Sequence, residues 1–170
     1  MPAPGDYVYD VEHSEFGRHE RVARVTHTDR GYTVHWLIHD DLIEAITYES
    51  SPAGVLRTER RNDKGDFQCK YEGPLLEFPS DQTAWRSEAK CVKPDGTVIN
   101  VVREGTVVRS GGESTFEVTE MNETFGVQLT NRQTVRFDSS TLLPADIFSR
   151  RSGSIRNGET IHSVRLKNPS

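Results

Sequence analysis

The chain has 170 residues, of which 34% are hydrophobic and 28% are charged, and its formal net charge is −5. A chain of this length can bury a sizeable core, so we expect a single domain over residues 1–170. Acidic and basic residues are interspersed, which argues against the basic stripe that nucleic-acid binding requires. No apolar run is long enough for a transmembrane segment or a signal-peptide core.

Strand signals recur along the first half of the chain, beginning with Tyr7, Tyr9 and Val11, which alternate with other residues. Residues 42–49 are ambiguous, because their apolar positions would also fit one face of a short helix. Thr47, Tyr48 and the following Ser-Ser-Pro-Ala-Gly turn favour a strand there. In the strand before it, one face is predicted to carry Tyr32, Val34, Trp36 and Ile38, and the opposite, wetter face Thr33, His35, Leu37 and His39.

Turn chemistry separates the strands of the rest of the chain. Asn-Asp-Lys-Gly at 62–65 and Lys-Pro-Asp-Gly at 93–96 predict hairpins. In the second half we predict separate strands at 97–103 and 106–109, and again at 124–130 and 134–138. Up to thirteen short sequential strands predict an all-β fold, a large curved antiparallel meander sheet or a closed up-and-down barrel. A two-sheet β-sandwich is the alternative.

The two cysteines, Cys69 and Cys91, are predicted to form a disulfide that adds roughly 3 kcal/mol of stability. A disulfide implies an extracytoplasmic protein, either periplasmic, cell-surface or secreted. Two free buried thiols in a cytoplasmic protein are the alternative, which a native start at Met1 would favour. The bridge is predicted to fasten an irregular loop against Trp85 as a flap at one end of the barrel, with Pro74 and Pro79 keeping that loop out of the sheet.

Several short motifs resemble a group of bacterial exported β proteins that includes the lipoprotein-carrier (LolA-like) superfamily. They are Tyr-Val-Tyr-Asp-Val at 7–11, Gly-Tyr-Thr-Val-His-Trp at 31–36, the hairpin-like segment 48–60, the cysteine-flanked segment 69–79 and the Leu-Pro segment 138–148. The resemblance implies a curved antiparallel sheet in an extracytoplasmic setting, with a concave face that holds an acyl chain or another apolar ligand. It transfers no catalytic residue.

Aromatic side chains supply the candidate ligand contacts. Ten are predicted to alternate toward the interior: Tyr7, Tyr9, Tyr32, Trp36, Phe67, Tyr71, Trp85, Phe116, Phe125 and Phe137. They can form a plain core or line a pocket, and the modest apolar fraction favours a wet or ligand-filled interior. The predicted ligand-binding residues are Tyr32, Trp36, Tyr71, Trp85, Phe116 and Phe125.

No cofactor, metal site or catalytic residue is predicted. His35 and His39 would lie on one face of a strand but about 13 Å apart, too far to share an ion, although His27, Asp40 or Asp41 could join one of them. No Gly-x-Ser-x-Gly nucleophile motif is present. Basic clusters at Arg57, Arg60, Arg61 and Lys64, and at Arg150, Arg151 and Arg156, are interpreted as solvated hairpin tips, or else as contacts to a phosphate-bearing lipid head group or an acidic partner.

Two functions from different classes follow. The first is a non-catalytic exported β domain that binds a lipid, another apolar ligand or a cell-envelope partner in its concave face. The alternative is a motif-poor barrel enzyme, of the isomerase or cyclase kind, that acts on a small apolar substrate in the same cavity. The sequence predicts no oligomeric state.

Overall fold

The computed structural model of the chain describes residues 1–62, 68–138, 142–153 and 159–167. Within these ranges the chain forms thirteen β-strands and no helix, which confirms the all-β prediction and the strand at 42–49. The strands are β1 (Gly5–His13), β2 (Gly17–His27), β3 (Gly31–Ile38), β4 (Asp41–Ser51), β5 (Gly54–Asn62), β6 (Gln68–Glu72), β7 (Leu76–Pro79), β8 (Ala84–Val92), β9 (Val98–Ser110), β10 (Glu113–Thr124), β11 (Val127–Asp138), β12 (Pro144–Gly153) and β13 (Glu159–Leu166).

Twelve of the described strands close into an antiparallel barrel. Around the barrel the order is β4, β3, β2, β1, β13, β12, β11, β10, β9, β8, β6 and β5, and pairing of β5 with β4 completes the ring. Nearly all neighbours are consecutive in sequence, because short turns join them. The predicted closed up-and-down barrel is therefore confirmed.

The thirteenth strand, β7, continues β6 along the same partner after an interruption. β6 pairs with the second half of β5, whereas β7 pairs with the first half of β5. Gly73, with a φ of 100°, and the following Pro74 turn the chain between them. The prediction that Pro79 stays out of the sheet is wrong, because Pro79 pairs with Gly54. It is tolerated there because β7 pairs with only one described strand, so it lies at an edge.

The predicted breaks between 103 and 106 and between 130 and 134 are absent. In both places a glycine or polar residues lie within a continuous strand. β9 runs through Gly105, where a Cβ atom would come within 2.8 Å of Cη2 of Trp85. β11 runs through Asn131 and Gln133, which face the barrel interior.

In β3, Tyr32, Val34 and Trp36 line the cavity as predicted, but Leu37 is buried, so the prediction that it lies on a wetter face is wrong. The pairing of β3 with β4 shifts register between Trp36 and Leu37, which interrupts the regular alternation there.

The turn predicted at 62–65 extends into residues outside those described. Phe67, Lys64 and Arg156 also lie outside the described residues, so the predictions made for them stay predictions.

Candidate functional site

The barrel encloses a cavity of about 490 Å³, within the usual range for small-molecule sites of roughly 300 to 1,000 Å³. Alternate residues of each strand point inward, so the lining can be followed from one end of the barrel to the other. We call the end that carries the turns at 14–16, 39–40, 93–97 and 125–126 the polar end, and the opposite one the apolar end. The cavity is lined by residues from both ends.

Tyrosine, tryptophan and aliphatic side chains line the cavity toward the apolar end. The rings of Tyr32 and Tyr48 lie 5.2 Å apart, and so do those of Tyr9 and Trp36. Leu143 is buried in the same cluster. The hydroxyl group of Tyr9 donates a hydrogen bond of 2.9 Å to the carbonyl oxygen of Pro144, which fixes the ring in the wall.

Four charged side chains form a buried network in the middle of the barrel. Sequence reasoning missed three of them and placed the fourth, Arg57, at a solvated hairpin tip. Arg57 lies 2.6 Å from Glu77 and 3.0 Å from Glu120. Arg103, with 0% of its side chain exposed, lies 2.9 Å from Glu120 and 3.2 Å from Glu77. Two guanidinium groups and two carboxylates therefore compensate one another, as buried charges require.

Glu120 is the acceptor at the centre of this network. Burial by itself would raise the pKa of its carboxyl group, but the guanidinium groups of Arg57 and Arg103 hold that pKa far below its usual range. The amide of Asn122 donates a further hydrogen bond of 3.2 Å to Oε1 of Glu120. Glu120 is therefore ionised at any physiological pH.

Positive charge and histidine concentrate on β1, β2, β12 and β13 toward the polar end. Nε of Arg21 donates a hydrogen bond of 3.0 Å to Nε2 of His19. The rings of His13 and His162 lie 5.3 Å apart. Burial, followed by the positive charge of Arg21 and the neighbouring His13, holds the pKa of His162 at about 3. His162 is consequently neutral at pH 7.

Two buried polar atoms near these charges have no hydrogen-bond partner among the described residues. They are Nε2 of His162 and Oδ1 of Asn131, and both residues line the cavity. Since buried polar atoms are nearly always paired, unpaired ones on a cavity wall mark where a ligand or water is expected to bind.

The basic clusters lie only partly where the sequence interpretation placed them. Arg57 is buried in the central network and Arg60 forms an ion pair with Glu44, so the interpretation as solvated hairpin tips is wrong for these two. Arg61, Arg150 and Arg151 are exposed, as that interpretation predicts, and Arg151 also lines the cavity.

The structure separates the predicted ligand-binding residues into three groups. Tyr32, Trp36 and Tyr71 line the cavity. Trp85 and Phe116 pack together in a buried cluster, with ring centroids 5.9 Å apart, and neither lines the cavity.

Phe125 forms the third group, and the prediction that it faces inward is wrong. It lies in the turn between β10 and β11 with a φ of 50°, and 88% of it is exposed. Since Gly126 follows it, also with positive φ, the pair forms a tight hairpin turn and not a strand continuation.

The predicted disulfide between Cys69 and Cys91 is confirmed. It joins the neighbouring strands β6 and β8, and both cysteines are buried with Leu75, Ala89 and Val101. Trp85 belongs to a different cluster, so the predicted flap fastened against that residue is wrong. The reason is that the chain between the cysteines returns to the barrel wall as β7 instead of crossing its end.

No group of three or more His, Cys, Asp and Glu side chains in the described ranges could hold a metal ion. Of the histidines weighed for a metal, His27 contacts the carbonyl oxygen of Pro2 through Nε2 at 2.9 Å, and His39 adopts positive φ in the β3–β4 turn. Neither these two nor His35 lines the cavity.

Comparisons with protein-family models, with curated proteins and with solved structures found no match to this chain. The barrel is compatible with the lipoprotein-carrier resemblance at the level of architecture only. In the described residues there is no helix with the length and hydrophobicity needed to cross a membrane.

Proposed function

We propose that the protein is a non-catalytic binding protein that holds an apolar small molecule, such as a lipid, in the lumen of its barrel. The observation that carries the proposal is the 490 Å³ cavity in a closed barrel, lined toward one end by aromatic and aliphatic side chains. An apolar cavity of this size gains free energy when an apolar molecule replaces its water.

The surrounding structure is suited to a rigid, preformed binding site. The cavity wall is formed by strands that are hydrogen-bonded around the full ring, and its aromatic side chains pack on one another. A site held this firmly before binding costs little ordering entropy when the ligand enters.

The compartment is proposed to be extracytoplasmic, which the disulfide supports, because structural disulfides persist in oxidising surroundings. Protein isolated from its own host without added oxidant should carry the bond. Isolation with two free thiols would refute this part of the proposal and leave the ligand site untouched.

Tryptophan fluorescence offers a direct test, since the chain has two tryptophans and only Trp36 lines the cavity. The Trp85→Phe variant leaves Trp36 as the reporter, and the matched Trp36→Phe variant leaves the packed Trp85. Titration with dodecanol and its shorter and longer homologues should change the emission of Trp36 saturably and leave that of Trp85 unchanged. Equal responses of the two variants, or no response in either, would refute lumen binding.

An enzyme acting on the same molecule is the second candidate, favoured by three histidines near the cavity with lowered pKa values: His13, His19 and His162. Burial is the largest cause of each lowered pKa, with Arg21 next. Neutral histidines can transfer protons. Native mass spectrometry of the host-purified protein should show one intact bound molecule for a binding protein, whereas conversion of that molecule over time would favour the enzyme.

A further inference from the structure

We infer that the ligand of the lumen is an amphiphile whose polar end is an anion, a carboxylate or a phosphate monoester, bound by Arg21 and Arg151. This inference rests on the proposed function and adds the chemical class of the ligand. The apolar end of the cavity would receive the hydrocarbon part of the same molecule.

The charge of the cavity wall favours an anionic ligand. Among the described residues, five arginines lie in or directly behind the cavity wall, namely Arg21, Arg57, Arg60, Arg103 and Arg151, and they face three glutamates, Glu44, Glu77 and Glu120. The described part of the wall therefore carries two net positive charges, although the whole chain has a net charge of −5. Arg21 is half-buried and Arg151 is exposed, so both can be reached by a ligand, and a cleft lined by an excess of one sign attracts a ligand of the opposite sign.

Arg21 and Arg151 are the two arginines of this set that lack a counter-ion among the described residues. Glu77 and Glu120 are shared between Arg57 and Arg103, and Glu44 pairs with Arg60. Within the described part of the chain, neither Arg21 nor Arg151 lies in ion-pair distance of a carboxylate. Arg21 uses only its Nε atom, on His19, so its remaining N–H groups can donate to a ligand.

In the described part of the chain, two buried polar atoms beside these arginines also lack a partner. Nε2 of His162 and Oδ1 of Asn131 line the same cavity without a partner among the described residues. Nε2 of a neutral histidine can donate to an anion, and the amide of Asn131 can present either its oxygen or its NH₂ group. Arg21 and Arg151 line the same cavity as His162, and after burial their positive charge contributes to the lowered pKa of that ring.

The cavity also has the length that an amphiphile needs. Arg21 and His27 lie six residues apart on β2, or roughly 20 Å along the strand, and His27 is the cross-strand neighbour of Tyr32 near the apolar end. A molecule with an anionic group at Arg21 would therefore extend its chain toward Tyr32 and Tyr48.

The test compares four ligands with the same twelve-carbon chain, each below its critical micelle concentration: dodecanol, dodecanoate, dodecyl phosphate and dodecyltrimethylammonium. Calorimetric titration should give both anions an affinity about ten- to a hundredfold higher than dodecanol, the value of one or two charge-assisted hydrogen bonds. The cation should bind more weakly than dodecanol. Whichever anion binds more tightly identifies the head group as carboxylate or phosphate.

The double variant Arg21→Gln/Arg151→Gln should bind both anions with an affinity close to that of dodecanol, while its affinity for dodecanol stays unchanged. Arg18→Gln is the matched control, because Arg18 lies on the same strand as Arg21 but its side chain is 84% exposed on the outer face. It should leave all four affinities unchanged.

The possible failures are distinguishable. If dodecanol binds as tightly as both anions, the anion inference is wrong and the proposed lumen binding stands. If none of the four binds, the proposed function itself fails. A double variant that loses affinity for dodecanol as much as for the anions would show that the arginines shape the cavity without binding a charge, which also overturns the inference.

Discussion

The buried network of four charges makes one strong prediction about stability. Substituting Arg103 by Met removes a fully buried guanidinium group and leaves two carboxylates, Glu77 and Glu120, facing the single cation Arg57. Breaking a buried ion pair by removing one partner costs about 3 to 5 kcal/mol. That is a large share of the roughly 5 to 15 kcal/mol by which domains of this kind are stable.

Urea unfolding followed by circular dichroism measures this cost. With a slope of about 2 kcal/mol per molar urea, the midpoint of Arg103→Met should fall by about 1.5 to 2.5 M. Arg86→Met is the control, because Arg86 pairs with Glu88 and Glu104 on the surface and is 54% exposed. Its midpoint should change by no more than about 0.5 M, as for other exposed ion pairs.

A double-mutant cycle separates charge balance from simple loss of contacts. Adding Glu120→Gln to Arg103→Met removes the excess negative charge, so the double variant should be at least as stable as Arg103→Met alone. Strictly additive losses, or a loss below about 1 kcal/mol for Arg103→Met, would refute the reasoning.

The network also predicts loss of stability in acid. The pKa of Glu120 is lower in the folded chain than its ordinary value of 4.5, so its contribution is complete above that pH. It is lost as the pH falls through the folded pKa.

Three further predictions concern other parts of the barrel. The pKa of His162 is about 3 in the folded chain and 6.5 in the unfolded chain, so the unfolded chain binds a proton first and the free energy of unfolding falls as the pH drops from 6.5 toward 3. Urea unfolding at pH 4 should show that His162→Gln has lost less stability than the wild type, by about 1 to 2 kcal/mol after allowance for water in the cavity. Parallel losses in the two proteins would contradict this. Gly105→Ala should lower the unfolding free energy by about 2 to 3 kcal/mol in thermal melts, since its Cβ would clash with both the Trp85 ring and a backbone carbonyl oxygen of β10. An unchanged melting temperature would show that the neighbouring strands move enough to accommodate the methyl group. Reduction should add two hydrogens to the mass through Cys69 and Cys91 and lower stability by about 3 kcal/mol, and alkylation of both thiols in the untreated native protein would contradict the bond.

The barrel was predictable because each strand depends on local signals. Alternation in β1 and β3 and the Lys-Pro-Asp-Gly turn at 93–96 act within a few residues, and sequential strands then pair as neighbours. The predictions of breaks in β9 and β11 are wrong because a glycine and polar residues within a strand resemble loop signals in the sequence. Inside a barrel with a wet lumen they are compatible with a continuous strand.

The aromatic part of the candidate site was predictable and the charged part was not. The inward positions of β10 change along the strand from Phe116 and Val118 to Glu120 and Asn122, and those of β12 change from Ile147 to Ser149 and Arg151. The alternation is visible in the sequence, but alternation alone does not distinguish an inward charged residue from an outward one. Which charges meet across the lumen depends on how the ring closes, and that depends on pairings between strands distant in the chain.

The pairing of β1 with β13 has a consequence for the order in which the barrel forms. Val11 lies opposite Val164, so the ribosome must produce nearly the whole described chain before β1 gains its second partner. Contacts between such distant segments form slowly, and the early strands keep an open edge until then. If the protein is exported as proposed, this delay is useful, because a chain that cannot complete its ring during synthesis stays loose enough to be threaded through a translocation channel.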